Sequence, residues 1–176
     1  MAGIEDAVAV FAGGCSTFVR ERRGGLLAFG GNGDGQLGLG HEDFVDRPTR
    51  VAALDGRRVV QVACGDDHTL FLLADAIVSA CGGNDLRQLG IGTPVLSTLP
   101  IAVRGLVGVV CVAAGISHSV AVTRAGAAYT WGGDFVGDPG LRLIPPDHSL
   151  VLGQGRRERS GIVEPRRDGV LDVHEH

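Results

Sequence analysis

The chain has 176 residues, 44% of them apolar, with 29 glycines, 5% aromatics and a formal charge of −4. The acidic balance excludes a broad nucleic-acid surface, which needs a basic patch. The longest apolar run, Val107 to Ile116, is broken by glycine and is too short to span a membrane.

Met1 to Val10 carries Glu5 and Asp6 and no basic residue, so no secretion signal is expected. The segment Ala12-Gly13-Gly14-Cys15-Ser16-Thr17-Phe18-Val19 is the weakest of three related copies. A glycine-rich loop follows, Gly31-Asn32-Gly33-Asp34-Gly35-Gln36-Leu37-Gly38-Leu39-Gly40. The middle copy shows the unit best: Thr49 to Leu54 reads as a strand and Asp55-Gly56 as a turn. Val59 to Cys64 reads as a second strand, Gly65-Asp66-Asp67 as a turn, and Thr69 to Leu73 and Ile77 to Cys81 as two more strands. The loop then recurs as Gly83-Asn84-Asp85-Leu86-Arg87-Gln88-Leu89-Gly90-Ile91-Gly92, with Pro48 and Pro100 eight residues beyond each copy. The third copy, Val109-Val110-Cys111-Val112-Ala113-Ala114-Gly115-Ile116-Ser117-His118-Ser119-Val120, leads to Trp131, which is equivalent to Phe29 and Cys81. The hairpin of the second copy, Ala74-Asp75-Ala76, reads as one residue tighter than Arg124-Ala125-Gly126-Ala127 of the third.

The marker glycines Gly14, Gly65 and Gly115 fall 51 and 50 residues apart. A fixed period of this length is the mark of a solenoid, propeller or array. No segment carries a helical apolar stripe over three turns, so the expected class is all-β, with four-stranded antiparallel sheets of about 50 residues each. His68 and His118 recur, with Thr17 at their place in the first copy. Catalytic groups converge once per site, whereas these recur once per repeat, so a structural role is expected for them. The same reasoning covers Gly65, Gly115, Gln36, Gly38, Gln88, Gly90 and the packing residue Trp131.

The segments "VVQVACGDDHTLFLL", "FGGNGDGQLGLG", "CGGNDLRQLGIG" and "VVCVAAGISHSVAVTRAGAAYTWGGD" closely resemble the regulator of chromosome condensation repeat, over about residues 6–141. That family builds a seven-bladed β-propeller whose blades often draw strands from adjacent repeats. The resemblance implies a partial β-propeller of about three four-stranded antiparallel blades over residues 6–150. The charged stretch 151–176, with five Arg offset by five acids, reads as a flexible tail. Gly137-Asp138-Pro139-Gly140-Leu141 departs from the Gly-Gln-Leu-Gly-Leu pattern. Three blades do not close a propeller of four to eight, so self-association to complete the ring is one expectation, and a longer parent chain another.

No metal or cofactor is expected. Gly33 to Gly38 satisfies a dinucleotide-type glycine pattern but lacks its strand and helix flanks, and the Asn32-Gly33-Asp34-Gly35 run lacks the carboxylates of a calcium loop. His174-Glu175-His176 offers only three ligand side chains. The four cysteines, Cys15, Cys64, Cys81 and Cys111, have no Cys-x-x-Cys spacing and suit reduced thiols in a cytoplasmic or nuclear protein. The expected function is a non-catalytic protein-interaction scaffold whose loops carry Asp34, Asp66, Asp67, Asp85 and Arg87, suited to a basic protein partner. The alternative implied by the resemblance is guanine-nucleotide exchange on a Ran-type small GTPase.

Overall fold

The computed structural model describes residues 4 and 6–133, and the backbone of 142–144. The Gly137–Leu141 departure, the tail and His174–His176 lie outside the described residues. The described residues up to Leu143 belong to one compact unit. Among the described residues no helix is long and apolar enough to cross a membrane.

Twelve strands form three four-stranded antiparallel sheets, each built from consecutive strands. The first contains β1 (Ala7–Gly13), β2 (Ser16–Glu21), β3 (Leu26–Gly30) and β4 (Val45–Arg50). The second contains β5 (Val59–Cys64), β6 (His68–Leu73), β7 (Val78–Gly82) and β8 (Ser97–Ala102). The third contains β9 (Val109–Ala114), β10 (His118–Thr123), β11 (Ala128–Gly132) and β12 (Arg142–Ile144). The sheets are successive blades, with the first strand β5 lying between the first strands β1 and β9.

The middle blade shows how alternation builds the stack. Every residue of β6 and β7 is buried, because both faces of this blade are covered. Side chains on a strand alternate between faces. Phe71 and Leu73 accordingly join Phe18, Leu26 and Leu37 of the first blade in one core, while Leu70 and Leu72 join Val109, Val112 and Trp131 of the third in another. Phe18 meets Phe71 edge to face at 5.5 Å between ring centroids, a geometry worth about 0.5–1.5 kcal/mol beyond area burial.

Three features differ from the sequence reading. The strand expected over Thr49–Leu54 is split: Val45–Arg50 pairs with β3 as the last strand of the preceding blade, and Ala52–Leu54 is a single 3-10 turn with Leu54 buried. Each glycine-rich loop therefore lies inside a blade, between its third and fourth strands. Proline explains the placement, since it cannot donate to a ladder and is tolerated on an edge strand. Pro48 and Pro100 both sit on such outer edges, β4 and β8.

The second difference is register. Ser16 pairs with Gly30 as His68 pairs with Gly82 and His118 with Gly132. The first-copy marker is thus Gly13, not Gly14, and Ser16, not Thr17, occupies the histidine position. Thr17 matches Thr69 and Ser119. The hairpins also prove equal in length: Leu73 donates its N–H to Ile77 as Thr123 does to Ala127. Ala76 takes the left-handed position (φ +63°) that Gly24 and Gly126 hold in the other blades.

Candidate functional site

The recurring residues meet at the joints between blades. In each glycine-rich loop the asparagine holds the turn. Asn32 donates to the carbonyls of His41 (2.8 Å) and Asp43 (3.1 Å) and accepts from the N–H of Leu37 (3.0 Å). Asn84 repeats this with Thr93, Val95 and Leu89. Gln36 and Gln88 each accept, at 3.0 Å, the N–H two residues earlier, of Asp34 and Leu86. Leu37 and Leu89 are fully buried anchors. The main-chain carbonyl of each glutamine then turns to the next blade. That of Gln36 accepts from Thr69 Oγ1 (2.8 Å) and Cys81 Sγ (3.3 Å). That of Gln88 accepts from Ser119 Oγ and Trp131 Nε1, both at 2.8 Å. Trp131 is thus both a packing residue and a donor. Gly38 and Gly90 follow with left-handed φ, Gly38 passing against Pro100 and Gly90 against Trp131.

His68 Nε2 lies 2.9 Å from Ser119 Oγ across the second joint. The Ser119 hydroxyl proton is committed to the Gln88 carbonyl, so the imidazole donates from Nε2 and serine accepts. Nδ1 then carries a bare lone pair, and it has no partner in its fully buried position. Burial chiefly, and the neighbouring His118, hold the His68 pKa down at about 4. A hydrogen-bonded neutral imidazole at a joint is placed for packing, with no open nucleophile beside it. Gly65 and Gly115 are required by close approach: a Cβ on Gly65 would lie 2.4 Å from the His68 ring and 2.6 Å from the Gly115 carbonyl.

Sequence reasoning missed two further joint residues. Arg20 donates to the carbonyls of Val59 and Val60 at the first joint. Gln61 pairs both ends of its amide with the Val112 backbone, at 2.7 and 3.1 Å, so a side chain stands in for a strand partner. Neither position recurs in kind: Gln61 corresponds to Ala9 and Cys111. Repetition therefore gave no signal for either residue.

The acidic candidates gather on the loop side of the first joint. A Cβ on Gly83 would lie 3.2 Å from Asp67 Cβ and 3.6 Å from Asp34 Cβ, which places these carboxylates as neighbours from different blades. Burial first, then the charges of Asp67, Glu42 and Asp85, push the Asp34 carboxyl up from its ordinary range. Glu42 belongs to this group and was not singled out from sequence. Asp66 is exposed beside them in chain order, and its N–H donates to Ile116. Arg87 does not join: its guanidinium reaches the Gly92 carbonyl of its own loop, with the backbone left-handed at φ +62°. Among the described residues no group of three or more His, Cys, Asp or Glu is arranged to hold a metal ion.

At the second joint the equivalent positions are different. Leu86 and Ser117 flank Gly133 where Asp34 and Asp67 flank Gly83, and Ile116 stands where Asp66 does. The framework repeats and the surface chemistry does not.

Stacked four-stranded blades joined through a Gln-Leu-Gly loop define a β-propeller repeat protein. The regulator of chromosome condensation repeat matches over residues 23–72 and 78–122, with a second form of that repeat over 59–88. The chain belongs to this family. It is 41% identical over 138 residues to the secretion-regulating guanine nucleotide exchange factor of Mus musculus, covering 77% of this chain and 30% of that one. It is 33% identical over 147 residues to the probable E3 ubiquitin-protein ligase HERC6 of Homo sapiens, covering 80% of this chain and 14% of that one. Among known structures it is similar to Prp20p of Saccharomyces cerevisiae, described with its binding properties to Gsp1p and histones: TM-score 0.73, 28% identity, 81% of this chain and 39% of that one. The chain thus spans less than a third of the length of these two sequence relatives.

Proposed function

We propose that this chain is a non-catalytic interaction scaffold that engages a basic protein surface through the acidic side of its first blade joint. The observation that carries the proposal is the replacement of Asp34, Asp66 and Asp67 by Leu86, Ile116 and Ser117 at equivalent places of the second joint. The backbone there is the same, so the acids are not needed to build the fold. Propeller loops on a rigid frame are where recognition concentrates. Charge complementarity would act mainly on the association rate. Prp20p, a relative in fold and family, is described as binding histones, which are basic. The test is stopped-flow association with core histones. Asp66→Lys with Asp67→Lys should slow association by about tenfold at low salt, an effect that added salt erases. An unchanged rate would remove the basis of the proposal.

A second reading is guanine-nucleotide exchange, which the name of the Mus musculus relative favours; a Ran-type GTPase is the substrate that the repeat family implies. Release of labelled GDP from such a GTPase measures it directly. Acceleration by this chain at substoichiometric amounts would replace the scaffold reading.

A further inference from the structure

The chain's two asparagines occupy one position of the repeat, Asn32 in the first glycine-rich loop and Asn84 in the second. Their frames are alike. Each is 1% exposed, donates its amide to two carbonyls across the loop and accepts one backbone N–H. The residues that follow them are unlike: Asn32 precedes Gly33, and Asn84 precedes Asp85. Gly33 is exposed, and nothing lies within 4 Å of where its Cβ would be. The loop closes with either residue, so the difference bears on the amide and not on the fold. A side-chain amide followed by glycine is open to attack by the next backbone nitrogen, because glycine bends freely and no β-carbon hinders closure of the five-membered ring.

The loop itself holds that reaction back. Ring closure needs Asn32 Cγ to swing toward the Gly33 nitrogen. Three bonds fix the side chain: Nδ2 donates to the carbonyls of His41 at 2.8 Å and Asp43 at 3.1 Å, and Oδ1 accepts the Leu37 N–H at 3.0 Å. The Asn32 main-chain carbonyl is held as well, by the Gly35 N–H at 2.9 Å. The side-chain bonds must be given up, in a buried place, before the ring can form. Leu37 is fully buried in the core shared by the first two blades, which ties opening of the loop to loss of packing there.

We propose that Asn32 is a deamidation site that the closed loop protects and that opening of the loop exposes, as a one-way change. The Gly33 nitrogen gives up its proton to solvent base and forms a bond to Asn32 Cγ. The Cγ–Nδ2 bond breaks, and ammonia leaves after taking a proton from water. Water then opens the five-membered imide at either carbonyl, leaving aspartate or isoaspartate at position 32. The product carries a carboxylate where the loop needs two donors. A carboxylate has nothing to donate to the carbonyls of His41 and Asp43, so the loop does not close again as before. The same loop carries Asp34, whose position the change disturbs.

Peptide mapping by mass spectrometry tests this, because a deamidated asparagine gains one mass unit. Trypsin separates the two sites: Asn32 lies between Arg23 and Arg50, and Asn84 between Arg58 and Arg87. The full chain is incubated at pH 8, in buffer and in urea sufficient to unfold it. In urea the Asn32 peptide should convert at least tenfold faster than the Asn84 peptide, since only Asn32 has glycine after it. In buffer it should convert at least tenfold more slowly than in urea, because opening of the loop limits the reaction. Gly33→Ala should fold like the wild type, and in urea its Asn32 should lose the lead over Asn84. Wild-type chains deamidated in urea and returned to buffer should either fail to refold or unfold at lower urea than chains refolded at once. Gly33→Ala chains given the same treatment should keep their midpoint, which separates this change from other damage. The proposal is overturned by equal rates in buffer and urea, by Asn84 keeping pace with Asn32 in urea, by a Gly33→Ala chain that converts like the wild type, or by deamidated chains that return to the wild-type midpoint.

Discussion

Acid should loosen this fold through one residue. His68 is fully buried, donates from Nε2 to Ser119 and has no partner at Nδ1. A proton added in the folded state must go to that partnerless nitrogen, which is why burial holds the pKa at about 4 against 6.5 for a free imidazole. Between those values the unfolded chain binds a proton that the folded chain refuses, so stability falls as pH falls. The His68 contribution is complete above the unfolded value and declines through the window down to the folded one. It amounts to about 2 kcal/mol lost by pH 5 and about 3 kcal/mol by pH 4, at about 1.36 kcal/mol per unit of separation. Urea unfolding followed by emission of Trp131, the sole tryptophan and a buried one, measures it. His68→Gln keeps a donor for Ser119 and removes the titration. The difference in stability between wild type and variant should shift by about 2 kcal/mol toward the variant between pH 7.5 and pH 5. A difference that stays constant over that range would refute both the tautomer and the burial argument.

Substitutions at four further positions probe the joints and turns in the same unfolding assay at pH 7.5. Ser119→Ala removes the hydroxyl that donates to Gln88 and strands the His68 N–H; it should cost about 2–4 kcal/mol, and Ser119→Thr should recover most of the loss. Gly35→Ala places a Cβ 2.7 Å from Thr98 Cα at φ +76°, and about 2–4 kcal/mol of destabilisation is expected. Gly33→Ala in the same loop meets nothing within 4 Å and should change stability by no more than about 0.5 kcal/mol. Ala76→Gly relieves a left-handed alanine at φ +63° and should stabilise by about 0.5–1 kcal/mol, since the strain removed exceeds the added entropy of the unfolded chain.

Much of this architecture was legible because repetition exposes what the fold requires. The Gln-Leu-Gly run could be assigned to structure before its bonds were known, and those bonds explain each letter. Glutamine holds the turn with its side chain and the next blade with its carbonyl, leucine anchors, and glycine lets the loop pass. Three things were hidden. The blade boundary was displaced because Pro48 and Pro100 mark an outer edge, a fact about pairing partners that a strand propensity does not carry. The first copy slipped by one residue because Gly13 and Gly14 are adjacent and Ser16 has no resemblance to histidine. Only the pairing of Ser16 with Gly30 fixes the frame. Arg20 and Gln61 escaped because each bridges a single joint, so nothing in the period pointed to them.

The candidate site was less legible, for the complementary reason. Composition alone named Asp34, Asp66, Asp67, Asp85 and Arg87, and three-dimensional proximity separates them. Asp34 and Asp67 become neighbours across a joint, with Glu42 and Asp85 near enough to act on Asp34, while Arg87 turns to its own loop. A contrast between the two loops, visible only in the structure, supports the proposed recognition. Gln36 holds the N–H of Asp34 and Gln88 holds the N–H of Leu86 at the same 3.0 Å, so two identical frames present a carboxylate in one blade and an isobutyl group in the next. Where the backbone is satisfied equally by both, the fold does not choose between them. The fold thus leaves open the choice of acid at the first joint and apolar side chain at the second, as the proposed recognition of a basic surface requires.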